Sequence, residues 1–599
     1  MSRILFLMLH PGFIRYYEGA IHMLAASGHE VNLAFEVSRD KLGEDVTAQR
    51  LATSSPNIRC EPAPDRTESV RDFLVRSDRD AMRAGEERRA RPDQDAWESL
   101  ATTVRLIEDY LRFFEPEFRD ASTLRTRVEK RLPRVYPQLL GAAARPAVAR
   151  RIIRAALRGV EAIIPTVDGI DDFLRERNPD VLLVTPLIEL GSQQVDYIKS
   201  ARKLGIRSAL CVASWDNLTS KGLIRVLPDH VIVWNEAQAQ EATALHGVPP
   251  DRITVTGSQT FDRWFAMRPS RSREDFCRTV GLDPSRPYLL YTGSSVFIAP
   301  DEVPFTERWL TALRYSGIPR VTELGALIRP HPANSRQWYA FDSAAFPNAA
   351  IWPPVGTDPN SPGFKEDFFD SVYHSAGVVG INTSAQIEAS ILGRPIFTVR
   401  SPEFAHGQEG TLHFQYLVGD GGVVRVATSL AEHVEQLDSG LEGDAGRDER
   451  NRGFVRRFVR PHGIDEPATP IFAEAVEAIR QLGPTAPRPD SWWVRAARRI
   501  PGRSLAGAAL ALAEGRPGWV YLVRQPMSLA IQTAALGYRL SDEWQEHGRP
   551  AIKRMRRVAW RSWYESFRWL GHRWHRSKKK LLRVSRDARV TARRLVRLR

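Results

Sequence analysis

The chain has 599 residues, 43% hydrophobic and 26% charged, with a net charge of +14. That length excludes a single core and points to roughly three or four units of about 150 residues each, while no run approaches the roughly 18 apolar residues needed to span a bilayer. Three scattered cysteines, Cys60, Cys211 and Cys277, exclude a disulfide framework and a zinc spacing and read as small buried residues.

In chain order, "RILFLML", a loop from His10, a helix and "EVNLAFE" read as a parallel strand–helix–strand unit. The apolar run at Met1–Leu9 is therefore a buried first strand rather than a signal peptide. From about 65 to 165 the pattern turns helical and charged, an insertion or lid within the first domain. Strand texture resumes at 180–188, 206–214, 230–235 and 252–258, and again at 287–295, 323–332, "AGVVGINTS" and "RPIFTVRS". The expected fold class is α/β, with two doubly wound domains at 1–265 and 266–485. "PTAPRPD" (484–490) reads as a linker, and 486–599 as a basic helical extension.

The stretch "GINTSAQIEASILGRPIF" (380–397) carries the main functional signal. In an open parallel sheet, ligands sit at the carboxyl ends of strands, where helix N-termini present unpaired N–H groups. Asn382, Thr383 and Ser384 fall there, suited to a diphosphate, and Glu388 lies one turn on, placed to accept ribose hydroxyls. The plain alternative is a capped helix with Glu388 in solvent. "TGSS" (292–295), with Ser294, and "RPHP" (329–332), with Arg329 and His331, add hydroxyl, guanidinium and imidazole at two more strand ends.

With "HPGFIRYYEGAIHMLAASGHEVNLAF" and "HGVPPDRITVTGSQTFD" (246–262), these motifs resemble the GT-B superfamily of nucleotide-sugar glycosyltransferases, which includes UDP-GlcNAc 2-epimerases and, more distantly, CDP-glycerol glycerophosphotransferases. The resemblance covers about 1–485 outside the insertion. It implies donor binding by Thr383, Ser384 and Glu388, and a base near His10. Thr383-Ser384 stands where the epimerases usually carry a glycine pair, which counts against isomerase chemistry.

An acceptor held by the first domain would meet the donor across a cleft. His10 ends the first strand and can take a hydroxyl proton; its plain alternative is a cap. "SWDNLTSKG" (214–222) offers Asp216 as a second base and Trp215, Asn217 and Lys221 as acceptor contacts. Glu189 is a weaker strand-end candidate. "RSPEFAHGQEGTLHF" (400–414) carries Glu403, His406, Glu409 and His413 at no zinc spacing, so Glu409 and its neighbours read as donor-sugar contacts. No metal and no cofactor are expected.

Residues 551–599 hold 18 Lys/Arg against 2 Asp/Glu, so the positive charge is concentrated there. Trp560, Trp563, Phe567, Leu570 and Trp574 recur at three- and four-residue steps, giving a largely aromatic helix face among arginines. That suits an anionic membrane surface, with nucleic acid the less favoured partner. The sequence reading is a metal-independent glycosyltransferase, peripheral on the cytoplasmic face of the cell membrane. It would pass a sugar from a nucleotide-sugar donor to an envelope or surface-polysaccharide acceptor, a glycan or lipid-linked. Its alternatives are a polyol-phosphate transferase of the CDP-glycerol type and a catalytically silent scaffold.

Overall fold

The computed structural model describes residues 2–36, 44–64, 92–133, 135–359, 361–441, 446–492 and 494–495. The tail positions Trp560, Trp563, Phe567 and Trp574 lie outside these residues. Among those described, thirteen strands form two sheets. The first holds β1 (Arg3–Met8), β2 (Glu30–Phe35), β3 (Ile58–Pro62), β4 (Val181–Thr185), β5 (Arg207–Cys211), β6 (His230–Val233) and β7 (Ile253–Val255), in the order β3-β2-β1-β4-β5-β6-β7. The second holds β8 (Tyr288–Thr292), β9 (Gly325–Arg329), β10 (Ala349–Ile351), β11 (Gly377–Gly380), β12 (Ile396–Val399) and β13 (Val424–Ala427), in the order β10-β9-β8-β11-β12-β13. Neighbouring strands pair in parallel throughout, for example Ile4 with Val31 on one side and Val181 on the other.

Helices cover both faces of each sheet, which is why the central strands read as unbroken apolar runs. β4, β8 and β9 are buried at every position. Three strands went unread in the sequence, β3, β10 and β13, and all three are sheet edges. An edge strand is half exposed and mixes polar with apolar residues, as in "IRCEP" and "VRVA".

One assignment differs from the sequence reading. The helix Ala468–Gln481, grouped by sequence with the second domain, packs on the first: Phe472, Val476 and Ile479 join the core built on β1, β2 and the helix Ile14–Ala26. An amphipathic pattern shows that a helix has a buried face but not which sheet buries it. The described part of the insertion is tied to the first domain by buried charge. Its helix Pro92–Arg112 turns charged residues inward, and Arg105 donates from Nε and Nη2 to Glu161 at 3.0 and 2.9 Å and from Nη1 and Nη2 to Asp196 at 2.9 and 2.8 Å. On the same helix Asp109 accepts from the amides of Gly191 and Leu223 at 2.8 and 2.9 Å and pairs with Arg225. From the helix Ser122–Glu129, Arg127 stacks its guanidinium 5.4 Å from the Phe297 ring of the second domain.

Candidate functional site

Two His-Pro pairs occupy matching places. His10 lies two residues beyond β1 and His331 two residues beyond β9. Each starts a short 3-10 helix with proline next in line, and each accepts at Nδ1 from the amide two residues on, Gly12 at 3.2 Å and Ala333 at 3.1 Å. An imidazole that accepts at Nδ1 carries its proton at Nε2 when neutral. His10 is therefore a cap in this conformation, and accepting a proton at Nε2 would require that cap to open. Burial pushes His331 down to about 4, and Arg15, from the first domain's helix Ile14–Ala26, adds to the depression. Arg15, which the sequence did not single out, is thus within electrostatic reach of His331.

Between β11 and the helix Ala385–Ile391, Thr383 accepts at Oγ1 from the Ala385 amide at 3.4 Å, and Gln386 Oε1 accepts from the Thr383 amide at 3.2 Å. Ser384 is exposed at the helix start, while Glu388 is 8% exposed. Burial pushes Glu388 up to about 8 although Arg263, Arg329 and the Trp264 indole favour its charge. No well-formed hydrogen bond joins it to Trp264, whose Nε1 stays unpartnered. Asn382 is buried beneath, donating to Gly407 O at 2.7 Å and lying 3.4 Å from His413 Nε2.

Two residues proposed as phosphate ligands are instead turned into the domain. Arg329 is 5% exposed, lies 4.9 Å from the ring centroids of both Phe364 and Phe368, and donates to Ser371 Oγ and Phe364 O, both at 3.2 Å. Burial pulls its pKa down to about 9. Ser294 is fully buried, its amide donating to Glu302 at 2.9 Å. Strand-end position alone does not tell an outward side chain from an inward one. The cation that sequence reading missed near Glu388 is Arg263, exposed on the helix Asp262–Ala266.

The 214–222 loop does reach the second domain. Trp215 stands edge-on to His413 with ring centroids 4.7 Å apart, and Thr219 Oγ1 lies 3.5 Å from His413 Nδ1. Since the Asn382 amide group can only donate to Nε2, His413 offers Nδ1–H to Thr219, whose hydroxyl donates to Asp216 O at 3.1 Å. Burial would raise the Asp216 carboxyl, yet His413, Lys221 and the hydroxyls of Ser220 and Ser214, at 2.6 and 2.7 Å, together hold it below the usual range. A carboxylate so satisfied is a weak base. Asn217 accepts from the Ser214 amide at 3.1 Å, and Lys221 pairs with Glu189 at 2.7 Å. Glu409 pairs with Arg400 at 2.9 Å, both more than a third exposed, and Glu403 pairs with Arg308. Of Glu403, His406, Glu409 and His413, only His413 is buried, and it touches Trp215 and Thr219 of the first domain.

Buried carboxyls give the molecule a testable pH profile. Burial pushes Glu388, Glu302 and Glu241 each up to about 8. Between pH 6.5 and 8 the folded chain thus binds more protons than the unfolded one, so stability falls as pH rises, by on the order of 1 kcal/mol per pH unit for each group. Below 6.5 the buried histidines His331 and His433, both held near 4, pull the other way. Thermal unfolding followed from pH 5 to 9 should give a shallow slope below about 6.5 and a clearly steeper falling limb from there to about 8; a limb that rises over the upper interval contradicts the assignment.

No family model and no curated protein matches the sequence. In structure the chain is similar to a UDP-GlcNAc 2-epimerase from Neisseria meningitidis bound to UDP-GlcNAc, at 10% identity and TM-score 0.42, covering 79% of this chain and 100% of that one. It is similar also to a UDP-GlcNAc 2-epimerase from Methanocaldococcus jannaschii, at 12% identity and TM-score 0.42, covering 81% and 100%. A glycosyltransferase from Rickettsia africae matches at 8% identity and TM-score 0.43, covering 80% and 98%. The two strand orders and the returning helix Ala468–Gln481 give the chain a doubly wound α/β fold of two parallel sheets, with its last described long helix packed on the first.

Proposed function

We propose that this protein is a glycosyltransferase that moves a sugar from a nucleotide-sugar donor to an envelope or surface-polysaccharide acceptor, without a metal, at the cytoplasmic face of the membrane. The observation that carries the reading is Glu388, a buried carboxyl without a well-formed hydrogen bond, one turn into a helix whose start presents Thr383 and Ser384. A ribose diol would supply what this carboxyl lacks, and diphosphate oxygens would meet the helix-start amides, the Ser384 hydroxyl and Arg263. His331, neutral, would donate from Nε2. His10 is assigned as the base at the expense of its capping hydrogen bond, because both Asp216 oxygens are taken by hydroxyls. Trp215, Asn217 and Lys221 then shape the acceptor side by holding the loop.

The test is a thermal-shift titration of the full chain with UDP, GDP, dTDP, CDP and CMP beside Glu388→Ala. A nucleotide at about 100 times its dissociation constant stabilises by roughly 2.7 kcal/mol. One nucleotide should stabilise the parent, and Glu388→Ala should bind it about 5- to 100-fold more weakly, the worth of two hydrogen bonds to the ribose diol. Equal binding by the variant would remove the ribose assignment. Release of a nucleoside diphosphate during turnover supports sugar transfer, whereas CMP release points to the CDP-glycerol type.

A further inference from the structure

The insertion helix Ala147–Ile163 is built inside out. At 100° per residue, Arg150, Arg154, Leu157 and Glu161 share one face. That charged face is the one packed inward: Arg150 and Arg154 bind Glu115 at 2.8 and 2.6 Å, and Glu161 binds Arg105 and Lys199 at 2.9 and 3.0 Å. The opposite face carries Val148, Ile152, Ala155, Ala156 and Gly159. Val148 and Ile152 are 68% and 65% exposed, and both alanines are exposed as well. A surface helix ordinarily does the reverse, so this apolar face is uncovered within the described residues and needs a partner.

Charge selects that partner. Arg145, Arg151 and Arg158 are exposed near or along the helix, and residues 119–160 hold eleven Lys/Arg against two Asp/Glu. A second copy of the chain would bring the same positive charge to the contact. The 551–599 segment, with 18 Lys/Arg against 2 Asp/Glu, would do likewise. An anionic lipid surface is complementary to the arginines and accepts the apolar stripe among its acyl chains. No helix among the described residues is long and apolar enough to cross a membrane, so the contact is one of lying on the surface. We infer that the 147–163 helix is a membrane-docking face that seats the first domain on anionic lipid through Val148 and Ile152, independently of the C-terminal segment and of the transferase reading.

The experiment places an environment-sensitive dye on Ala156→Cys in a Cys60→Ser background of the full chain, since Cys211 and Cys277 are buried. Vesicles of phosphatidylcholine alone are compared with vesicles containing about 30% phosphatidylglycerol, whose negative surface attracts basic residues. The dye should shift to the blue on the anionic vesicles and not on the neutral ones. Adding Val148→Asp and Ile152→Asp should lower the dye response at least about tenfold at fixed lipid. Because both positions are exposed, the melting temperature should stay unchanged. Sedimentation with vesicles but no dye shift would overturn the inference, leaving attachment to the C-terminal segment alone. A shift without lipid that grows with protein concentration would also overturn it, in favour of a second copy.

Discussion

Arg105→Met should be the most damaging single substitution in the first domain, lowering stability by about 3–5 kcal/mol, the range for removing one partner of a buried ion cluster. Arg105 is 1% exposed by side chain, Asp196 is 0% and Glu161 is 6%, so the variant takes the guanidinium from two carboxylates inside the protein, Glu161 keeping its pair with Lys199. Burial opposes charge on Glu161, but Arg105 and Lys199 together hold it down at about 2. Its folded pKa is thus below its unfolded one, and its contribution is full above about pH 4.5 and lost as pH falls toward 2. The deficit of Arg105→Met in urea or thermal unfolding should therefore be largest above pH 4.5 and narrow on acidification. Adding Glu161→Gln and Asp196→Asn should restore much of the loss, because a neutral set of similar shape carries no unpaired charge. A deficit under about 1 kcal/mol would show that the insertion is not held by this cluster.

Asp262→Ala should cost a similar amount, about 3–5 kcal/mol, by leaving a buried guanidinium unpaired. Asp262 accepts from Arg460 Nε and Nη2 at 3.1 and 2.6 Å, from the amides of Ala468 and Thr469 at 3.1 and 2.7 Å, and from Thr469 Oγ1 at 2.7 Å. One carboxylate thus starts the helix Ala468–Gln481 and pins it to the helix Asp262–Ala266. Asp262→Asn keeps the shape and loses the charge, so it should fall between parent and alanine. Hydrogen exchange offers the local reading: in the alanine variant, amides of 468–481 should lose protection before those of β8 and β9. Uniform loss across both domains would mean that the carboxylate supports the whole fold rather than this junction.

Most of the fold was legible because parallel strands covered on both faces must be apolar along their length, as "YLLYT" and "GALIR" are. Edge strands lack that signature, and the partner of the 468–481 helix is a tertiary fact with no local sign. At the candidate site, Thr383, Ser384 and Glu388 were readable as one strand-to-helix junction. Arg15 and Arg263 were not, since each comes from a remote helix and becomes relevant only when the two sheets face each other. Arg329 and Ser294 mark the opposite error: residue types suited to phosphate, in the expected loops, but used to pack the second domain. The inverted 147–163 helix looked ordinary in sequence, where amphipathicity says that two faces differ without saying which one turns outward.

The polypeptide passes between the two domains twice, once after β7 and once before residue 468, and the two passes run side by side. Ser258 donates its amide to Val459 O at 2.8 Å, and Asn235 donates to Phe458 O at 2.8 Å. Gly257, at φ +86°, lets the two segments meet where an added Cβ would come 2.8 Å from the Ala468 Cβ. A single connection would act as a swivel, free to turn about any direction. Two connections fastened together resist that: twisting the second domain about its own length would shear both. The placement of His10 relative to His331 is therefore fixed by a double-stranded joint as well as by the two sheets that carry them.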